Sequence, residues 1–227
     1  MNILLITGTN TDTGKTVLTC VLAAYWQKYC HQKSLAIFKP IQTGIGDREL
    51  YQTLFNLPQT AGEITPLQFE TPVAPPVAAA REGRLLELAP IWQAFEKLCH
   101  SRDFVLVEGL GGLGSPVTRE LTVADLARDW HLPAVLVVPV QLGAIAQAVA
   151  NVALARQSGV QLQGIVLNCT QPRSDSEIAD WTPIDLIQSL TNVPILGVLP
   201  YLADPTDLSK LAGVASDLDI ERLIKFS

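Results

Sequence analysis

The sequence predicts an α/β fold with a mainly parallel sheet, helices on both faces of that sheet, and a single domain over residues 1–227. Short apolar runs rich in Ile, Val and Leu recur along the chain without polar alternation, as in strands that are buried on both faces. Longer segments with helical spacing separate these runs, and such alternation is typical of a parallel sheet. A length of 227 residues suits one α/β domain and is short for two.

The apolar runs and the segments between them define the predicted elements. Strands are expected at Ile3–Ile6, Leu35–Phe38, Phe104–Val107, Ala134–Val140, Ile165–Leu167 and Ile195–Leu199. Helices are expected at Thr16–Tyr29, Leu85–Cys99, Val123–Trp130, Gly143–Gln157 and Glu177–Leu190. The C-terminal segment predicts a loop and one weak helix. Ligands are expected at the carboxyl ends of the strands, where open parallel sheets bind them.

A proline-rich segment, Thr71–Ala80, interrupts this alternation. Proline lacks the backbone N–H group and clashes with the preceding turn, so it breaks the interior of a helix. The segment is therefore predicted to be an ordered loop or an extended piece, lying over the active site or at a subunit contact. A ligand for SH3-type domains is the alternative.

Composition and charge narrow the classes of function. With 48% hydrophobic residues the chain has ample material for a core, and its net charge of −6 without a basic run disfavours binding to nucleic acid. The apolar stretches are too short or too polar to cross a bilayer, and the N-terminus has no basic signal region. The four cysteines are scattered, so we expect a cytoplasmic protein with no membrane or nucleic-acid partner.

A glycine-rich loop follows the first predicted strand and leads into the first predicted helix. Its Gly14-Lys15-Thr16 end matches the Walker A pattern, although five residues instead of four separate Gly8 from Gly14. Backbone N–H groups and the helix N-terminus would surround phosphate oxygens, Lys15 would reach the β- and γ-phosphates, and the Thr16 hydroxyl would bind Mg²⁺. A loop without a ligand is the alternative, which its position between strand and helix disfavours. The loop predicts a P-loop NTPase-like fold.

Charged side chains follow two other predicted strands. Glu108 comes directly after Val107 with glycines behind it, where a Mg²⁺-organising carboxylate belongs in a P-loop enzyme; a solvated glutamate is the alternative. Lys39, held by Pro40, could neutralise charge on a transferred phosphoryl group or an anionic substrate, or be an ordinary surface lysine. Asp47 begins a predicted helix, where an acid can simply complement the helix dipole.

Histidines carry no predicted role. His31, His100 and His131 lie far from one another and from these motifs along the chain, so each is expected at the surface or at a helix end. No Ser-His-Asp order with a nucleophile elbow is present, which removes support for acyl-enzyme hydrolysis.

Taken in order, these motifs resemble those of the dethiobiotin synthetases. The resemblance runs from the phosphate loop through the segments 39–44 and 107–112 and continues through 140–143, 164–168 and 197–202, nearly the whole chain. It implies a homodimeric ligase of biotin synthesis that uses ATP and Mg²⁺ to convert 7,8-diaminopelargonate and CO₂ into a cyclic urea. The chain departs from the family pattern at Asn10, Leu110, Gln141 and Ala146.

The resemblance also implies a role for each site residue. Lys39 and Lys15 would be catalytic, stabilising carbamate and γ-phosphate charge, and Mg²⁺ would be bound by Thr16, Asp47 and Glu108. The nucleotide would be bound by Asp12, Thr13, Gly14, Lys15, Thr16, Val17, Asp47, Glu108, Gly109, Leu110, Gly111, Asn168, Cys169, Pro200, Tyr201, Leu202 and Asp207, with Asn168 pairing with adenine. The substrate would be bound by Thr11, Lys39, Thr43, Leu142 and Gly143, with the last two taking its carboxylate across a subunit interface.

Two rival functions share this kind of scaffold. Amide-forming enzymes of the cobyrinate-diamide synthase type usually carry a glutaminase half with a nucleophilic cysteine, for which the chain is too short. Partition or positioning ATPases of the ParA and MinD type have a signature lysine early in the phosphate loop, where this chain has Thr9, Asn10 and Thr11. Both rivals are therefore disfavoured.

Overall fold

The main sheet consists of six parallel strands. A computed structural model describes residues 2–224. The strands are β1 (Asn2–Gly8), β2 (Leu35–Phe38), β3 (Ile41–Thr43), β4 (Leu67–Phe69), β5 (Phe104–Gly112), β6 (Ala134–Pro139), β7 (Leu162–Asn168) and β8 (Ile195–Leu199). The main sheet has the order β2-β5-β1-β6-β7-β8, and every pair in it is parallel. All six predicted strands are confirmed.

A second, two-stranded sheet pairs β3 with β4, also in parallel. The prediction missed both strands, because each is only three residues long and neither stands out as an apolar run.

Eleven helices lie within residues 2–224. They are α1 (Lys15–Tyr29), α2 (Asp47–Leu54), α3 (Ala61–Ile64), α4 (Pro75–Glu82), α5 (Leu88–Ser101), α6 (Val123–Asp129), α7 (Ala144–Ser158), α8 (Asp175–Trp181), α9 (Ile184–Thr191), α10 (Leu208–Ala215) and α11 (Ile220–Leu223). Within the same residues, none of them is long and apolar enough to cross a membrane.

The proline-rich segment was predicted to be a loop, and this is wrong for its second half. Helix α4 begins at Pro75, and Pro75 and Pro76 occupy its first helical positions. The first N–H groups of a helix have no partner within the helix, so proline costs no hydrogen bond there and its fixed φ favours the start of a helix. The helix ends at Gly83, which adopts the left-handed conformation with φ of 61°.

The predicted helix Glu177–Leu190 is two helices in the structure, α8 and α9, separated at Thr182 and Pro183. Proline disfavours helical backbone in the residue before it, so α8 ends there. The C-terminal segment also holds two helices, α10 and α11, where one was predicted. The side chains of Asp207 and Asp219 accept N–H groups at the starts of these two helices, as N-caps do.

Helices cover both faces of the sheet, as predicted. Successive residues of a strand point to opposite faces. Leu4 and Ile6 of β1 therefore join the apolar cluster that contains Leu22 of α1, whereas Leu5 joins the one that contains Phe95 of α5. This arrangement buries β1 at the centre of the sheet and fixes the loop that follows it at the carboxyl edge, between β5 and β6.

Candidate active site

A cavity of about 700 Å³ lies at the carboxyl edge of the main sheet. Loops after β1, β2, β5, β7 and β8 contribute to its wall, so residues far apart along the chain meet there. Most of the predicted site residues line it: Thr11, Asp12, Gly14, Lys15, Thr16, Val17, Lys39, Thr43, Asp47, Glu108, Leu110, Gly111, Asn168, Cys169, Pro200, Tyr201 and Leu202.

The phosphate loop crosses from β1 to α1 through left-handed backbone. Asp12 has a φ of 57° and Gly14 a φ of 96°. A Cβ atom on Gly14 would lie 1.9 Å from Nδ2 of Asn168, so only glycine fits at this point. The Nζ atom of Lys15 donates a 2.9 Å hydrogen bond to the carbonyl oxygen of Asn10. The ammonium group of Lys15 is therefore held inside the phosphate loop.

Glu108 is a buried carboxylate, not the solvated alternative. Strand β5 continues past it to Gly112, and the residue is only 1% exposed. Its Oε1 atom accepts a 2.6 Å hydrogen bond from Nζ of Lys39, which also forms an ion pair with Oδ2 of Asp47. The hydroxyl of Thr16 lies 3.0 Å from Oδ1 of Asp47 and 3.2 Å from Oε1 of Glu108.

The electrostatics of this cluster are set by burial and by ion pairs. Burial by itself would lower the pKa of Lys39, but the charges of Glu108 and Asp47 outweigh it and raise that pKa above its usual value. Burial would raise the pKa of Asp47, and Lys39 reverses this and lowers it. Burial lowers the pKa of Lys15, and Glu108 opposes part of that effect. Lys39 is thus a permanent cation at neutral pH.

The three predicted metal ligands come together beside Lys39. The hydroxyl oxygen of Thr16 lies within hydrogen-bonding distance of a carboxylate oxygen of Asp47 and of a carboxylate oxygen of Glu108. Mg²⁺ prefers such hard oxygen ligands, usually one or two carboxylates in addition to substrate phosphates. The donor set therefore fits Mg²⁺.

Two side chains that the sequence analysis missed complete the surroundings of Glu108. The hydroxyl of Tyr51 donates to Oε2 of Glu108, and the hydroxyl of Thr19 lies 3.1 Å from the same atom. Burial raises the pKa of Tyr51 well above its usual value, so the phenol keeps its proton. A signal existed in the sequence, because Tyr51 follows Asp47 by four residues and so shares its face of α2.

The predicted adenine partner is tied to the phosphate loop. Asn168 is 2% exposed at the end of β7, and its Nδ2 atom donates a 2.9 Å hydrogen bond to the carbonyl oxygen of Thr13. This bond joins the end of β7 directly to the phosphate loop.

Residues between β3 and α4 form part of the cavity wall. Residues 72–74, which precede α4, line the cavity as the prediction of a loop over the active site requires, and so does Pro75 at the start of the helix. Gln42 is buried and joins this region to α2, since its Oε1 atom accepts from the N–H of Arg48 and its Nε2 atom donates to Glu49.

Five predicted site residues lie outside the wall of this cavity. Thr13 is buried beneath the loop, Gly109 lies within β5, and Asp207 caps α10. Leu142 and Gly143 lie between β6 and α7, with Leu142 76% exposed. The three histidines are distant from the cavity wall, at turns or helix ends as expected.

Comparison with known proteins identifies relatives along the full chain. A family model described as an AAA domain matches residues 2–208. A protein of Gloeothece citriformis named ATP-dependent dethiobiotin synthetase BioD is 59% identical, over 99% of this chain and 99% of its own. Proteins of the same name are 57% identical in Crocosphaera subtropica, covering 98% of this chain and 100% of the relative, and 48% identical in Synechocystis sp., covering 98% and 95%.

Solved structures share the fold at much lower identity. The cell division ATPase MinD of Pyrococcus furiosus superposes with a TM-score of 0.58 at 15% identity, over 98% of this chain and 99% of its own. A ParA family ATPase of Chlorobium tepidum gives 0.55 at 13% identity, over 97% and 92%. These likenesses confirm the P-loop type of α/β fold and say nothing of activity. The family model and the sequence identities decide the family: the chain belongs to the AAA domain family and, in it, to the ATP-dependent dethiobiotin synthetases.

Proposed function

We propose that this protein is the ligase that joins 7,8-diaminopelargonate and CO₂ into the cyclic urea of dethiobiotin, with conversion of ATP to ADP and phosphate. The observation that carries the proposal is the convergence of Lys15, Lys39, Asp47, Glu108 and Thr16 in one cavity beside a phosphate loop. The family membership supplies the reaction, and this cluster supplies the charges that the reaction needs.

The chemistry proceeds in three steps. One amine of the substrate adds to CO₂ and loses a proton, which forms a carbamate. A carbamate oxygen attacks the γ-phosphorus of ATP, which forms a carbamoyl phosphate-type mixed anhydride and releases ADP. The second amine then attacks the carbonyl carbon and expels phosphate, which closes the ring. Each step joins two groups that react with each other once they are aligned. The protein's role is therefore to position these groups and to neutralise their negative charge.

The phosphate loop would bind the triphosphate of ATP. The N-terminus of α1 offers backbone N–H groups to phosphate oxygens, and Lys15 at its first position adds a positive charge. Thr16, Asp47 and Glu108 would hold Mg²⁺, which when bound neutralises charge on the phosphates. The ends of β7 and β8 would supply the adenine site, through Asn168, Cys169, Pro200, Tyr201 and Leu202. The predicted nucleotide set is completed by Asp12, Thr13, Val17, Gly109, Leu110, Gly111 and Asp207.

Lys39 would stabilise the reacting anions. Its buried ammonium keeps its proton because two carboxylates raise its pKa, so it acts as a fixed positive charge and not as a general base. Such a charge favours the carbamate and the phosphoryl group in transfer, where negative charge is greatest.

The rest of the substrate site would involve a second copy of the chain. The hydroxyls of Thr11 and Thr43 line the cavity and would contact the diamine or its carbamate. Leu142 and Gly143, at the start of α7, would take the substrate carboxylate of the partner subunit in a homodimer. In support, Leu142, next to Gly143, is 76% exposed and offers apolar surface that a partner subunit would cover.

A cytoplasmic location belongs to the same proposal. Cys20, Cys30, Cys99 and Cys169 all carry free thiols, which suits a reducing compartment.

The decisive experiment follows labelled carbon. The protein is incubated with 7,8-diaminopelargonate, ¹⁴C-bicarbonate, ATP and Mg²⁺, and the products are separated and identified by mass. Label in the cyclic urea, dependent on both ATP and diamine, supports the proposal. ATP hydrolysis that needs no diamine, with no labelled urea, would instead favour an ATPase switch of the ParA or MinD type.

A further inference from the structure

The two oxygens of Glu108 have different surroundings. Oε1 faces the cavity cluster, where Lys39 donates to it at 2.6 Å and the Thr16 hydroxyl lies at 3.2 Å. Oε2 faces away from that cluster, toward the hydroxyls of Tyr51 and Thr19. One oxygen is therefore directed at the proposed metal ligands and the other is held by protein hydroxyls.

Of the two hydroxyls at Oε2, only that of Tyr51 commits its hydrogen there. The Thr19 hydroxyl also lies 3.0 Å from the carbonyl oxygen of Lys15, and both of its neighbours can only accept. Its single hydrogen is thus divided between them. The Tyr51 hydroxyl has one hydrogen as well, and it is directed at Glu108. Tyr51 is consequently the stronger restraint on this carboxylate.

Tyr51 also fixes the helix that carries the second acid. Asp47 and Tyr51 are four residues apart on α2, so they project from the same face. The segment before α2 turns through Gly44 and Gly46, with φ of 79° and 152°, and Glu49 ties this segment to the first turn of the helix by accepting from the N–H of Gly46. The Tyr51 side chain is fully buried, and its contact with Glu108 joins α2 to β5.

We propose that Tyr51 is a positioning residue for the divalent cation of the reaction. By holding Oε2 it leaves Glu108 to present Oε1, and by docking α2 it brings Asp47 to the same point. The inference rests on the proposed function, which makes Glu108 and Asp47 the metal-binding acids. Tyr51 itself touches neither substrate nor metal, so its effect passes through these two carboxylates.

The test removes only the phenol oxygen. Tyr51→Phe keeps the buried ring, and Tyr29→Phe is the matched control, because Tyr29 ends α1 about 20 Å from the phosphate loop. The probe is Mn²⁺, whose binding in the presence of a non-hydrolysable ATP analogue is followed by electron paramagnetic resonance. We expect Tyr51→Phe to weaken Mn²⁺ binding about 10-fold, as loss of a group that orients a metal ligand typically does, and Tyr29→Phe to change nothing.

Two further measurements separate positioning from general damage. Binding of the same analogue in EDTA should be equal in the wild type and Tyr51→Phe, and the Mg²⁺ concentration for half-maximal turnover should rise in step with the Mn²⁺ constant. Equal Mn²⁺ affinity in the wild type and Tyr51→Phe would overturn the inference, and so would equal loss of analogue binding with and without metal.

If Tyr51→Phe fails to fold, a second pair of variants tests the restraint on Oε2 of Glu108. Thr19→Ser keeps the hydroxyl beside Oε2 and Thr19→Val removes it. Because the Thr19 hydrogen is shared with the carbonyl oxygen of Lys15, we expect Thr19→Val to weaken Mn²⁺ binding by a smaller factor than Tyr51→Phe would, and Thr19→Ser to leave it unchanged. Equal Mn²⁺ binding in both variants would show that hydroxyls at Oε2 do not position Glu108 and would overturn the inference. Failure of the proposed function would look different, since the wild type would then form no labelled urea whatever its metal affinity.

Discussion

At the scale of single residues, the site depends on four neighbouring charges, of which Lys15, Lys39 and Glu108 are buried and Asp47 is partly exposed. Lys39 is the cation that balances Asp47 and Glu108, and burial makes each charge costly without the others. Removing the lysine would leave two carboxylates facing each other. The same lysine is therefore expected to serve both the stability of the apoprotein and the chemistry.

Lys39→Met tests the contribution of Lys39 to catalysis, since methionine keeps most of the buried aliphatic side chain and removes the charge. We expect turnover to fall by about 100-fold or more, because a fixed charge at the reacting anions is lost, with ATP affinity in the presence of Mg²⁺ changed little. Steady-state kinetics and calorimetric binding of a non-hydrolysable analogue measure the two effects. Equal losses in binding and turnover would show that Lys39 serves the nucleotide instead.

Gly14→Ala tests the close approach of Asn168 to the phosphate loop. The new methyl group would lie 1.9 Å from Nδ2 of Asn168 on backbone with φ of 96°, so we expect a loss of stability of about 1–3 kcal/mol and impaired nucleotide binding. Gly62→Ala in α3 is the matched control, because a Cβ there meets no atom within 4 Å and alanine favours a helix. Urea unfolding of both variants gives the comparison, and equal stability would contradict the expected clash.

At the scale of elements, helix α2 is held by hydrogen bonds at its start and by Tyr51 in its middle. Glu49 accepts from the N–H of Gly46 at 2.9 Å and from Nε2 of Gln42 at 3.0 Å. These bonds connect the strand β3, the glycine segment and the helix in a single unit. Asp47 lies within this unit, so the metal site depends on the way the element is anchored.

Lowering the pH should weaken the hydrogen bonds through which Glu49 anchors the start of α2. Burial would raise the pKa of Glu49, but the Gly46 N–H and the Gln42 amide lower it from 4.5 to about 2. A depressed pKa stabilises the fold above the unfolded value and loses that contribution as pH falls through the folded one. Glu49→Gln should therefore be less stable than the wild type near neutral pH, and the difference should shrink from about pH 5 to about pH 2. Urea unfolding across this range measures it; a difference independent of pH would contradict the prediction.

Helix α4 forms although its sequence begins with two prolines. Its two prolines suggested a break in helical structure, yet they stand at the only positions where a helix accepts them. The loop before α4 does line the cavity, so the prediction was correct for the part of the segment that reaches the site.

At the scale of the whole molecule, the site joins both halves of the chain. The phosphate loop follows β1, Glu108 lies on β5, and Asn168 at the end of β7 donates to the loop across 155 positions of sequence. A ligand that fills the cavity therefore binds only the folded chain, and its binding free energy adds to the stability of the whole fold.

Saturation with a non-hydrolysable ATP analogue and Mg²⁺ should raise the unfolding temperature. At 100 times the dissociation constant the gain is about 2.7 kcal/mol. Lys15→Met should lose most of this gain, because the lysine is placed at the phosphates, whereas Lys28→Met in the last turn of the same helix should keep it. Differential scanning calorimetry with and without the ligand measures the shift; an equal gain in both variants would remove Lys15 from the nucleotide site.

The sequence by itself determined the parallel α/β fold, the phosphate loop and the charged residues at the strand ends, because apolar periodicity and motif spacing are local properties of the chain. Tertiary structure alone decided that Tyr51 holds Glu108 and that β3 pairs with β4. Tyr51 and Glu108 are separated by 57 positions, and no local pattern records such a contact. It exists because parallel strands bring distant segments to one edge of the sheet, where packing selects the side chains that meet.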